Sequence, residues 1–154
     1  MGETIEQRLA RLGISIPRSA APAANYVPYS RSGNLLFTAG QLPLAEGKLV
    51  ATGLLGRELA TEKGQEAARA CAINILAQAQ AALGSLQAIR RIVKITAFVA
   101  STPDFTEQHL VANGASDLLV AVLGDAGRHA RSAVGTASLP LNAPVEIEAV
   151  IEIA

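Results

Sequence analysis

The order of patterns along this chain predicts an α+β domain, one mixed β-sheet with two helices packed on a single face and a further helix at the N-terminus. Two stretches carry most of that prediction. Residues 61–83 repeat small and aliphatic side chains at three- and four-residue spacing, the period of a helix face. Residues 145–153 alternate between an aliphatic set and a mainly acidic set, the period of a strand with one face buried.

The elements follow in order. Residues 3–12 read as a short amphipathic helix with Ile5, Leu9 and Leu12 on one side. Pro17 and Pro22 make residues 17–25 linker-like, so helix and linker occupy 1–19 and the main domain 20–154. Gly33-Asn34 between two strand-like runs predicts a hairpin, and residues 48–52 add a short strand. In the helix over 61–83, Ala68, Ala72, Ile75, Ala79 and Leu83 form the inner face, and Gly84 ends it. Residues 91–99 then alternate, with Val93, Ile95, Ala97 and Val99 facing one way. Thr102-Pro103 is an N-cap and first-turn pair for a second helix running to about Leu123, with Asn113-Gly114 as a weak point inside it. Two strands close the chain, over residues 131–139 and 145–153.

Composition narrows the function classes. The length of 154 residues suits one domain. Half of the residues are apolar, yet aromatics make up only 3% and Trp is absent, so the core is built from Ala, Leu, Ile and Val. Thirteen basic residues balance thirteen acidic ones. That balance argues against a nucleic-acid partner, which calls for a basic surplus to release counterions. The single Cys71 fits a reducing compartment. Neither a signal-peptide core nor a run near the roughly 20 apolar residues of a membrane span is evident, and a cytoplasmic location is the expectation.

The chemistry gathers near the C-terminus. Alternation puts Val145, Ile147, Ala149, Ile151 and Ile153 toward the core and Glu146, Glu148 and Glu152 on the other face. Three carboxylates on an aliphatic strand are a solvated face or the wall of a cleft. Arg131 starts the preceding strand, and the short connection over residues 139–144 predicts that the two strands are neighbours. A guanidinium fork matches a carboxylate in two hydrogen bonds, and a nearby Glu can handle protons. The pair is therefore a minimal site for a small carboxylic acid, or else a plain salt bridge.

At these residues the chain resembles the RidA/YjgF family of reactive-intermediate deaminases, also labelled endoribonuclease L-PSP. The resemblance rests on residues 33–41 (GNLLFTAGQ), 93–99 (VKITAFV), Arg131-Ser132-Ala133-Val134, Leu139-Pro140 and Val145-Glu146-Ile147-Glu148-Ala149, in family order over roughly residues 20–153. It implies a chorismate-mutase-like fold assembled as a homotrimer, with a ligand pocket in each inter-subunit cleft. The implied reaction is hydrolysis of small enamine or imine carboxylates to 2-keto acids and ammonia, with no metal or organic cofactor. Position by position, Arg131 would clamp the substrate carboxylate, Glu146 would activate water, and Tyr26, Gly40 and Ala133 would complete the pocket. The chain departs from the family where Tyr26 lacks a preceding Gly-Pro, and where Ala133 and Gly135 replace the usual Cys or Ser and Glu. The alternative is therefore a non-catalytic trimer that binds small carboxylates such as 2-keto acids.

Other candidates are weaker. Ser132, His129 and Asp125 lie too close in sequence to converge as a triad. His129 suits a loop residue bonded to backbone, and His109 a surface position or the border of the pocket. Cys71, amid Ala70, Ala72 and Ile73, suits a buried, inert thiol. One Cys and two distant His make no zinc set. Residues 124–127 (GDAG) lack the glycines and Lys of a phosphate loop. The family's ribonuclease label finds no support in the composition.

Overall fold

The computed structural model describes residues 2–22 and 24–154; Ala23, in the linker-like stretch, lies outside them. Helix α1 spans Ile5–Leu12 and starts with a reciprocal cap, in which Thr4 Oγ1 accepts from Gln7 N and the Gln7 side chain accepts from Thr4 N. Gly13 ends it in the left-handed region at φ 69°. As expected, Ile5, Leu9 and Leu12 turn toward the core. Strands β1 (Tyr29–Ser32) and β2 (Leu35–Thr38) form the hairpin at Gly33-Asn34. The strand expected at 48–52 is only the second arm of a small ribbon, β3 (Leu44–Ala45) with β4 (Lys48–Leu49).

Helix α2 occupies Thr61–Leu83, with Gly84 left-handed just past its end. Strand β5 (Ile89–Ala100) carries a register shift between Ile92 and Lys94. Because the extra residue breaks the alternation, Ile92 is buried and Val93 only half-buried, which corrects the expectation that Val93 shares the inner face of Ile95, Ala97 and Val99.

Helix α3 runs Gln108–Leu123, starting five residues later than Thr102-Pro103 predicted. Thr102 N–H is already committed to Leu55 O, and Phe105 N–H closes a turn onto Thr102 O, so this segment is pinned to the 54–56 loop. Asn113-Gly114 does not interrupt the helix. Gly114 is required by a close approach to α2, where a Cβ would stand 2.8 Å from the Gln65 carbonyl carbon and 2.9 Å from its Cα. The span Gln108–Gly127 does reach the length and hydropathy of a membrane-crossing helix, contrary to the sequence expectation. Here Val111, Ala115, Leu118, Leu119 and Val122 are buried in the domain core.

Strands β6 (Ala130–Thr136) and β7 (Val145–Ile153) complete a mixed five-stranded sheet of order β1-β2-β7-β5-β6. Among the described strands of this sheet only the neighbours β5 and β6 are parallel, joined through α3, and α2 and α3 cover the same face. The expectation that β6 and β7 are neighbours is overturned, since β5 lies between them. β6 runs beside β5 to Thr136, and residues 137–144 then cross the end of β5 to its other side. Ser101 N–H bonds Thr136 O and Ala100 N–H bonds Pro144 O on either flank of that crossing. Leu141 and Asn142 make the hop with left-handed backbones, φ 60° and 63°.

Candidate functional site

The order of the sheet decides which predicted residues can meet. Arg131 is level with Ile95 of β5, which is fully buried beneath the helices, and Ala133 with the equally buried Ala97. Both therefore face α3. Glu146 is level with Phe98, on the opposite, open face. One intervening strand and three rungs separate Arg131 from Glu146 by roughly 10 Å across the sheet and about 10 Å along it. Within one chain they share neither a face nor a cleft, and no ion pair joins them among the described residues.

Arg131 is held by α3. Its Nη1 donates to Asn113 Oδ1 at 2.8 Å and to Ser116 Oγ at 3.0 Å, and its Nη2 donates to His109 O at 2.9 Å. Asn113 and Ser116 stand one helical turn apart, so one face of α3 presents both. Three of the five guanidinium N–H groups are thereby engaged, and two remain for a ligand. The network continues from Ser116 Oγ to His129 Nε2 at 2.9 Å, and from His129 Nδ1 to Gly127 O at 2.6 Å. A carbonyl only accepts, so Nδ1 carries the proton, Nε2 is the acceptor and Ser116 donates to it. Burial, opposed in part by that carbonyl, holds His129 below the usual imidazole range and favours the neutral ring. These groups line an open cleft of about 280 Å³ with Arg128 and Val120.

On the other side of the molecule, Glu146 lies against Gly40. A Cβ at position 40 would stand 2.6 Å from Glu146 Oε1, so only Gly leaves the carboxylate its place. Gln41 continues β2 alongside β7 through a reciprocal backbone pair with Ile147. Burial and then the neighbouring Glu148 push the Glu146 carboxyl above the usual range, which makes it the better base. Around it the open sheet face is partly apolar, with Phe37 41% and Val134 44% exposed. Gly40 also borders a small cavity of about 110 Å³ with Tyr26, Gln41, Leu141 and Gln78. The structure thus gathers Tyr26, Gly40 and Glu146 in one region and leaves Arg131 and Ala133 in another. Cys71 is fully buried, and its thiol is pushed up by that burial.

Comparison with known proteins agrees with this architecture. The family model described as "YjgF/chorismate_mutase-like, putative endoribonuclease" matches residues 6–153. The chain belongs to the RidA/YjgF family. "Protein TCP17" of Trypanosoma cruzi is 52% identical over 150 residues, covering 97% of this chain and 94% of that one. The crystal structure of Atu1372 from Agrobacterium tumefaciens, a protein of unknown function, is 57% identical with a TM-score of 0.92, over 97% of this chain and 92% of that chain. A "putative endoribonuclease" of Shewanella oneidensis is 35% identical with a TM-score of 0.95, over 98% of this chain and all of that one.

In this chain the chorismate-mutase-like RidA/YjgF fold therefore carries two polar stations on opposite faces of its sheet. Reading the sequence missed Asn113 and Ser116, the side chains that hold Arg131. The available signal was their three-residue spacing on a helix, obscured because Asn113-Gly114 also reads as a helix breaker. It also placed His129 in a loop bonded to backbone, which is where it sits, without its second partner Ser116.

Proposed function

We propose that this RidA/YjgF protein works as a homotrimer that hydrolyses small enamine or imine carboxylates in inter-subunit clefts, giving a 2-keto acid and ammonia. The observation that carries this reading is the opposite-face placement of Arg131 and Glu146. One cleft can use both only if each comes from a different copy of the chain. The half-apolar open sheet face around Phe37 and Val134 suits such an assembly. In the reaction, the two unengaged N–H groups of Arg131 take the substrate carboxylate. Glu146 accepts a proton from water as the hydroxyl adds to the imine carbon. The C=N bond becomes a C–N single bond as the proton held by Glu146 passes to the nitrogen. Collapse to the ketone, with the hydroxyl proton following to nitrogen, expels ammonia. Tyr26 and Gly40 wall the pocket, and no step calls on a metal or organic cofactor. A cytoplasmic location belongs to the same reading.

The replacement of the family's Cys or Ser by Ala133, and of its Glu by Gly135, favours a second reading, a trimer that binds 2-keto acids without turning anything over. Mixed subunits separate the two. Arg131→Ala and Glu146→Gln should each abolish ammonia release from 2-aminoacrylate generated in situ. Exchanged one to one, they should restore about a quarter of the wild-type rate, because that fraction of clefts pairs an intact Arg with an intact Glu. No recovery, from variants that still form trimers, would sink the shared cleft. An inactive wild type that nevertheless binds 2-keto acids would establish the binding module.

A further inference from the structure

The Ser116–His129 pair is used by neither reading above. Serine on a helix commonly turns its hydroxyl back to a carbonyl of the preceding turn. Ser116 instead gives its proton to His129 Nε2 across 2.9 Å, while Gly127 O fixes the imidazole by its other nitrogen at 2.6 Å. Arg131 Nη1 donates to the same Ser116 oxygen at 3.0 Å, which stabilises negative charge there. Nucleophile, base and an orienting acceptor for the base are thus in hydrogen-bond reach of one another, the arrangement that activates a hydroxyl. Ser116 lines the cleft of about 280 Å³ between α3 and the start of β6. Among the described residues Arg128, on its rim, has only Asp125 as an ion-pair partner, at 3.4 Å with both side chains largely in solvent.

We propose that Ser116 is an activated nucleophile, with His129 as its general base, in a site for small acyl esters that carry an anionic group. Ser116 Oγ forms a bond to the acyl carbon as its proton passes to His129 Nε2, and the carbonyl electrons move onto oxygen. The charge develops beside the Arg131 guanidinium, whose Nη1 already donates to Ser116 Oγ. Collapse expels the alcohol, which takes the proton back from Nε2 and leaves an acyl-Ser116. Water then adds by the same route, with His129 again taking and returning the proton, and a carboxylic acid is released. Arg128 supplies the positive charge that an anionic group on the ester meets. The site stands whether or not the imine reading does.

The test is intact-protein mass spectrometry after treatment with a fluorophosphonate, with peptide mapping of the adduct and, in parallel, hydrolysis of p-nitrophenyl acetate. The expected result is one phosphonyl group per chain, mapped to Ser116, with fluoride as leaving group. Ser116→Ala should lose both the adduct and the esterase signal. His129→Gln should slow labelling by about 10²- to 10⁴-fold, the usual contribution of a positioned base. Mapping the wild-type adduct answers the question even where a variant fails to fold. No adduct, an adduct elsewhere, or His129→Gln labelling at the wild-type rate would overturn the proposal.

Discussion

Replacing Gly114 by Ala sets two physical effects of opposite sign against each other. Gly114 lies inside α3, where an exposed-helix substitution of Gly by Ala contributes about 1 kcal/mol of helix propensity. The structure places backbone in the way, because the new Cβ would meet the Gln65 carbonyl carbon at 2.8 Å and its Cα at 2.9 Å. Backbone cannot rotate aside as a side-chain terminus can, so α2 and α3 must separate along the main helix–helix contact of the domain. Overpacking of this kind costs about 1–3 kcal/mol, and a clash with main-chain atoms belongs at the upper end. The net expectation is a loss of about 2 kcal/mol, or roughly 4–8 °C in Tm for a domain of this size. Thermal and urea denaturation of Gly114→Ala against wild type measure it. A variant that melts 2–4 °C above wild type would show that propensity wins and that the helices are not in the contact described.

Two further outcomes follow from titratable groups. The folded protein raises the Glu146 carboxyl, so this group favours folding below the usual carboxylate range, and that contribution is lost as pH rises through its folded value. Glu146→Gln should therefore melt above wild type at pH 7, with the gap closing near pH 4; a wild type that is the more stable at pH 7 would contradict the cause assigned. Cys71 is fully buried with its thiol pushed up, so a disulfide reagent should modify it only as fast as the domain opens, and immediate reaction with the native protein would refute its placement.

How much of this was legible in the sequence depended on whether the signal was local. Strand β7 could be read to the residue because Val145, Ile147, Ala149, Ile151 and Ile153 leave no doubt about parity, and α2 because Gly84 marks its end. Strand β6 offers no such contrast. Arg131, Ala133 and Gly135 on one parity are no more apolar than Ser132, Val134 and Thr136 on the other, so nothing local says which set faces the helices. The lateral order of strands is non-local altogether. The short connection over residues 139–144 suggests a hairpin, but the chain uses Leu141 and Asn142 in left-handed conformations to step over the end of β5. That step put β5 between Arg131 and Glu146, and the parity of β6 turned Arg131 to the helix face, leaving the family and fold intact while dividing the site. The Ser116–His129 contact depended on the register of α3, whose start the Thr102-Pro103 signal put too early.

The position of β7 also bears on the order in which the molecule assembles. It is the middle strand, flanked by β2 on one side and β5 on the other. Until residues 145–153 are in place, the N-terminal hairpin and the β5–α3–β6 unit share no strand edge and meet only by way of α2, which touches both β2 and α3. Phe37 of the hairpin and Lys94 of β5 come into register only through Val150. Joining the two halves means closing a loop of more than a hundred residues from Leu35 to Glu152, the kind of distant pairing that slows a chain's approach to its native state.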